Sequence, residues 1–253
     1  MTWSPGTYLQ FAGPRTRPAA ELLARVGSEK PARVVDLGCG PGNSTALLAA
    51  RWPDAALEGL DSSEAMLAEA RASGVAADWV LADLAQWRPN TAYDVIYSNA
   101  TLQWLPDHDA LLPRLMGFVR QGSVLAFQVP VNHQAPSHAL MREVASDPRW
   151  KAKLAGVREI HGSTPAACYE ILKPHAATLD IWTTEYLQVL EGEEAVYRWV
   201  SGTGLRPFVQ ALDGEDQAAF IAAYKARLNQ AYPRRADGTT LFPFQRLFVV
   251  AIT

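Results

Sequence analysis

Cysteine is scarce. Cys39 and Cys168 are the only two in 253 residues, too few for a disulfide framework, and both are expected as reduced thiols. No stretch approaches the ~18 consecutive apolar residues that a membrane-spanning helix needs. Positive charge is not in excess, with 23 Lys and Arg against 26 Asp and Glu, so the chain lacks the basic stripe from which nucleic-acid binding draws its counterion release. The segment Met1–Phe11 carries Trp3, Pro5 and Gly6 but no basic stretch followed by an apolar one. A secretion signal is therefore not expected there, and the cytoplasm is the expected compartment. His133, His161 and His175 lack metal-ligand spacing with a second ligand, and no metal is expected.

What is present is an ordinary globular composition, 49% hydrophobic and 19% charged. A compact chain of this length buries roughly 70–75% of its unfolded surface without staples. Its basic residues are skewed, 18 arginines to five lysines, which supplies many guanidinium forks for carboxylates.

From Ala32 onward, short apolar runs punctuated by glycine alternate with helical periodicity, the pattern of a parallel sheet. Strands are expected at Ala32–Leu37, Ala56–Leu60, Asp78–Leu81, Tyr93–Ser98 and Ser123–Val129, and helices at Asn43–Arg51, Ser63–Arg71 and Asp107–Val119. Before them, Pro18–Val26 reads as a helix behind an aromatic leader with Trp3, Tyr8 and Phe11. Residues 131–178 have no clean period and read as mixed helix and loop. Leu179–Leu190 and Leu241–Ile252 are late β-rich runs, separated by helical stretches at Glu193–Ser201 and Glu215–Tyr232. The expected architecture is α/β, a Rossmann-like doubly wound, seven-stranded, mostly parallel sheet with a helical cap insertion. It is expected as a single domain over 1–253, with a leader and helix over the pocket at 1–30, a ligand-binding core at 32–130, an irregular insertion at 131–178 and the cap at 191–240.

The strongest chemical signal is Val34-Val35-Asp36-Leu37-Gly38-Cys39-Gly40-Pro41-Gly42-Asn43-Ser44-Thr45. An apolar strand runs into glycines that allow a sharp turn and close approach of a ligand, and a helix start then presents free N–H groups. A dinucleotide fingerprint spaces its glycines G-x-G-x-x-G, whereas here they fall at every second position behind an acid. Asp36 would repel a pyrophosphate but suits a ligand with an ammonium group. Asp61 ends the second strand, 19 residues after Gly42, where it can accept two ribose hydroxyls. Asp83 follows the third strand and can accept from an exocyclic amine. Ser44 and Thr45 are expected to start the helix with their side-chain oxygens, and Cys39 is expected as a small buried hydrophobe.

These residues resemble the class I S-adenosylmethionine-dependent methyltransferases, whose Asp-x-Gly-x-Gly-x-Gly, second-strand acid and third-strand Asp hold the methionine part, ribose and adenine. The resemblance implies cofactor contacts at Asp36, Gly38, Cys39, Gly40, Asn43, Asp61, Ser62, Asp83, Leu84 and Asn99. After the fourth strand, Ser98-Asn99-Ala100 and Leu102-Gln103-Trp104-Leu105 are similar to small-molecule members, not to the Asn/Asp-Pro-Pro-Tyr enzymes that methylate amines. Trp104 either positions a substrate or anchors the core.

Tyr8-Leu9-Gln10-Phe11-Ala12, Leu102 to His108, His138 to Ala145, Thr203-Gly204-Leu205-Arg206-Pro207 and Arg246-Leu247-Phe248 are similar to trans-aconitate methyltransferases; Asp147–Ser163 departs from that pattern. The resemblance implies methyl transfer to a carboxylate, giving a monomethyl ester and S-adenosylhomocysteine. Such an acceptor, with a pKa of about 4, is already ionised and needs no catalytic base. A triple anion beside three aspartates needs arginines. Arg15, Arg142 and Arg206 are the candidates, with Tyr8, Gln10, Trp104 and His108 as further substrate contacts and His133 as a weaker one. Arg17 is the candidate for the cofactor's carboxylate. Gly204 and Pro207 mark a turn that would aim Arg206 inward. Two alternatives stay open: a carboxyl O-methyltransferase for another small acid or an acyl carrier, and a non-catalytic S-adenosylmethionine-binding sensor.

Overall fold

The computed structural model describes residues 12–157 and 163–253. In chain order the elements are α1 (Ala12–Arg25), β1 (Arg33–Leu37), α2 (Asn43–Arg51), β2 (Ala56–Asp61), α3 (Glu64–Ala72), β3 (Asp78–Leu81), β4 (Tyr93–Asn99), a 3₁₀ turn (Leu102–Trp104), α4 (His108–Met116) and β5 (Val119–Pro130). There follow α5 (Pro136–Ala145), α6 (Lys151–Leu154), α7 (Pro165–Leu172), β6 (Thr178–Glu191), α8 (Ala195–Ser201), α9 (Arg206–Gln210), α10 (Gly214–Ala231) and β7 (Thr239–Ile252). The strands form one sheet ordered β3-β2-β1-β4-β5-β7-β6. β1 to β5 pair in parallel, and β7 runs antiparallel to β5.

The chain divides into two compact units. One comprises Met1–Pro130, Gly162–Thr184 and Arg246–Thr253, the other Val131–His161 and Glu185–Gln245. In the first, the central strands are buried on both faces, as parallel strands between helices must be, and read as unbroken apolar runs. Val34, Val35, Leu37, Val95, Ile96, Leu125, Phe127 and Val129 are all buried. At one edge of the sheet, β3 has only four residues and leaves Leu81 54% exposed. The order reverses between β1 and β4, so their carboxyl ends open the crevice in which ligands of such sheets bind.

The second unit is organised around α10. Phe220, Tyr224 and Leu228 recur at four-residue spacing on its buried face. Tyr224 donates its hydroxyl to the Ser137 carbonyl at 2.7 Å, and Phe220 meets Trp150 edge-on and stacks on Phe208. No described helix is long and apolar enough to cross a membrane.

Most expected elements are found within a residue or two, and three differ for physical reasons. α1 begins at Ala12, not Pro18, and Pro18 lies inside it, although proline favours a first turn. α4 stops at Met116 before Gly117, and β5 starts four residues earlier than expected, at Val119, with an irregular register opposite Tyr93 and Val95. Arg206 is not in a turn: it opens α9, with Pro207 in the first helical turn. α1 is fastened to the sheet by Tyr97, whose buried hydroxyl donates to the Ala19 carbonyl at 2.6 Å. Tyr97→Phe is expected to lower unfolding free energy by about 1 kcal/mol, read as a lower urea midpoint at unchanged slope; an unchanged midpoint would mean that this bond does not hold α1.

Candidate active site

The crevice at the end of β1 is built by its glycine loop. Gly38, Gly40 and Gly42 all have positive φ (71°, 56° and 90°), conformations that L side chains resist. The Gly38 and Cys39 N–H groups both donate to the Leu60 carbonyl, at 2.7 and 3.0 Å, which ties the loop to β2. Asp61 secures it again: Oδ2 accepts from the Gly40 N–H and Oδ1 from the Ser63 N–H, each at 2.9 Å. Burial raises the Asp61 pKa, and those N–H groups partly offset the rise.

Asp36 lies behind the loop, fully buried. Its Oδ2 accepts the hydroxyls of Ser44 and Thr45, both at 2.7 Å. Its Oδ1 is buried and has no hydrogen-bond partner among the described residues. Burial pushes this carboxyl up to about 6, against the opposing effect of the two hydroxyls. Ser44 and Thr45 therefore do not cap α2 as expected: the N-cap is Gly42, with no side-chain bond, and the hydroxyls are drawn instead to the buried acid. Cys39 is buried, and its thiol pKa is raised well above the ordinary range by burial, with Asp36 and Asp61 adding to the rise. Such burial suits a packed thiol and disfavours the reactive thiolate.

The crevice is lined by Thr16, Ala19, Gly38, Cys39, Gly40, Pro41, Asn43, Ser44 and Asn99. Five of the expected cofactor residues, Gly38, Cys39, Gly40, Asn43 and Asn99, are thus brought together. Leu84 is buried near the end of β3, whereas Ser62 and Asp83 are exposed, and Asp83 accepts from the Ala85 N–H at 2.9 Å. Thr16 and Ala19 were not foreseen; their i, i+3 spacing on α1 is the signal that an earlier helix start would have exposed.

Of the other expected contacts, some fall within the described residues and some do not. Tyr8, Gln10 and His161 lie outside the described residues, as does the side chain of Arg15. Arg17 does not line the crevice: its side chain is 68% exposed, and Nε donates to Glu21 at 2.7 Å, the usual pairing one turn along a helix. His108 is held within the protein. Its Nε2 lies 2.8 Å from the Leu102 carbonyl, which only accepts, so Nε2 carries a proton, and its Nδ1 is hydrogen-bonded to the Ser163 hydroxyl. Both ring nitrogens are thus engaged within the protein. Trp104 is half-buried in the 3₁₀ turn after β4. Arg142 and Arg206 belong to the second unit; both are half-buried, and Arg142 donates to the His133 carbonyl at 2.6 Å.

A family model described as a methyltransferase domain matches residues 34–122. Trans-aconitate 2-methyltransferase of Azoarcus sp. (strain BH72) is 51% identical over 253 residues, 99% of this chain and 99% of its own. That of Methylobacterium radiotolerans is 51% identical over 98% of this chain and 97% of its own, and that of Variovorax paradoxus 47% identical over 99% and 98%. The solved structure of the YcgJ protein of Bacillus subtilis aligns with a TM-score of 0.63 at 11% identity, over 94% of this chain and 98% of that one. Phosphoethanolamine N-methyltransferase 2 of Haemonchus contortus, in complex with S-adenosyl-L-methionine, aligns with a TM-score of 0.57 at 16% identity, over 97% of this chain and 56% of that one. At such identities these structures speak for the fold alone.

The loop's glycines differ in what a side chain would meet. A Cβ at Gly38 would overlap the Thr101 side chain, whereas one at Gly40 would enter open space. Gly38→Ala is expected to lose about 2–5 kcal/mol of stability from strain and overlap together, and Gly40→Ala about 1–2 kcal/mol from backbone strain alone. Urea denaturation checks this, and equal losses would contradict the packing of Thr101 against the loop.

Proposed function

The chain belongs to the trans-aconitate methyltransferase family of class I methyltransferases, and we propose that it transfers a methyl group from S-adenosylmethionine to a carboxylate of trans-aconitate, releasing the monomethyl ester and S-adenosylhomocysteine. One observation carries this reading: identity to the trans-aconitate 2-methyltransferases holds over essentially the whole length, not only over residues 34–122 that the methyltransferase-domain model matches.

The crevice suits the cofactor. The partnerless Oδ1 of Asp36 offers a buried anionic acceptor for an ammonium group, and the open space over Gly40 admits a ligand against backbone. Asp61 spends one oxygen on the Gly40 N–H of the loop and the other on the Ser63 N–H just after β2, and keeps lone pairs for ribose hydroxyls. Asp83 is the acceptor assigned to the adenine amine. Bound S-adenosylmethionine supplies an electrophilic methyl group on a sulfonium. The protein's part is to hold an already ionised acceptor oxygen in line with that methyl and to exclude water, and alignment alone is worth up to ~7–11 kcal/mol in favourable systems. No residue needs to take a proton. Arg142 and Arg206 are assigned to the acid's negative charges, and the cytosol is the assigned compartment, in keeping with two free buried cysteines.

Incubation with methyl-labelled S-adenosylmethionine and trans-aconitate is expected to yield base-labile label, with little from cis-aconitate, citrate, isocitrate or no acceptor. Silence with trans-aconitate, while S-adenosylhomocysteine still binds, would overturn the substrate. Asp36 sets a pH dependence. Its carboxyl titrates at about 6 in the ligand-free protein, and an ammonium partner favours the ionised form, so binding must expel the proton below that pH. S-adenosylhomocysteine affinity is expected to fall up to about tenfold per pH unit below 6, and Asp36→Asn to flatten that profile at weaker affinity. An unchanged profile in the variant would remove Asp36 from the ammonium.

A further inference from the structure

Three neighbouring strands carry a line of polar side chains into the first unit's core. Asn99 at the end of β4 is in register with Gln128 of β5, and directly paired residues share a face of the sheet. Gln128 is in register with Phe248 of β7, two residues from Arg246, which places Arg246 on that same face. Gln128 is fully buried and Arg246 is 4% exposed. Arg246 Nη1 donates to Gln128 Oε1 at 3.0 Å, and Gln128 Nε2 donates to Asn99 Oδ1. Asn99 alone of the three lines the crevice.

The donor inventory fixes the direction of this chain. A guanidinium has no acceptor, so it compels Gln128 to turn its oxygen toward Arg246. The Gln128 amide nitrogen must then face Asn99, and Asn99 must receive it with its oxygen. Amide orientation is ordinarily chosen by the surrounding network, and here one unambiguous donor sets two amides in series. What remains for the crevice is the Asn99 NH₂, which makes no hydrogen bond with any described residue. A neutral N–H donor facing the crevice calls for an acceptor oxygen.

We infer that Asn99 donates to the carboxylate being methylated, holding its non-attacking oxygen, and that Gln128 and Arg246 are positioning residues that keep this donor turned toward the crevice. The inference rests on the carboxyl-methylation reading above and moves Asn99 from the cofactor contacts to the substrate. Because the hydrogen bond is made to the ionised acid before transfer and weakens as the ester forms, its loss falls on KM more than on kcat.

Gln128→Glu tests it by inverting the relay. A carboxylate at 128 accepts from Arg246 with one oxygen and from Asn99 with the other, so the Asn99 amide turns over and shows its oxygen to the substrate. The expected result is a KM for trans-aconitate raised about 10–100-fold, with kcat within about threefold and S-adenosylhomocysteine Kd within about twofold of the parent. Gln128→Met, which removes both bonds without adding charge, should fall between parent and Gln128→Glu, and is read alone if the glutamate variant does not fold. An unchanged KM in a folded variant of an enzyme that methylates trans-aconitate would overturn the relay and leave the function standing. A Kd for S-adenosylhomocysteine that rises in step with KM would give Asn99 to the cofactor and overturn the inference. A parent protein that neither binds nor methylates trans-aconitate would overturn the function and this inference together.

Discussion

The crevice depends on a buried carboxylate that has been given neighbours instead of water. Asp36 sits at the end of a central parallel strand, where desolvation disfavours its charge. The hydroxyls of Ser44 and Thr45, eight and nine residues on, reach back to one of its oxygens. Those two bonds fasten the first turn of α2 to the end of β1, so the glycine loop between them is clamped at both ends. Asp61 closes the third side by holding the Gly40 and Ser63 N–H groups. The loop is thereby preorganised before any ligand arrives, and the strain of three positive-φ positions is absorbed by glycines.

The same acid shows where sequence reading succeeds and where it stops. β1, α2 and β3 were legible because an unbroken apolar run, a glycine turn and an edge strand leave local signatures in composition. The place of Asp36 at the end of β1, just before the glycine turn, was legible from the sequence. Its hold on Ser44 and Thr45 was not, since hydroxyls just after a turn are as fit for capping as for a buried acid, and only the packed geometry decides. His108 illustrates the same limit. A histidine in a motif reads as available chemistry, but a carbonyl six residues away and a serine 55 residues along the chain engage both its nitrogens. Partners that distant in sequence leave no period to read.

Helix α1 failed in a different way. The apolar period of Leu22, Leu23 and Val26 points to a helix from Pro18, whereas the helix runs from Ala12 and carries the proline inside. The cost of that shift was functional, because Thr16, which lines the crevice, was left in the leader. Arg17, by contrast, drew attention by its charge, yet its exposed side chain meets Glu21 on the same helix. Charge alone is a poor guide to ligand contact when an opposite charge one turn away supplies an easier partner.

A cationic methyl donor and an anionic acceptor must share one small space, and this constrains how the acceptor can be held. An arginine placed beside the reacting carboxylate would grip it, but its full positive charge would also oppose the neighbouring sulfonium at a distance where low dielectric makes the repulsion strong. Moving the guanidinium two side chains back, behind Gln128 and Asn99, keeps the directional effect of the charge and delivers only a neutral N–H to the crevice. The two amides cannot reverse without breaking the bond to Arg246, so the donor is fixed without a formal charge at the reaction centre. An amide relay of this kind separates orientation, which the buried cation supplies, from contact, which Asn99 makes. That division allows sulfonium and carboxylate to be bound side by side.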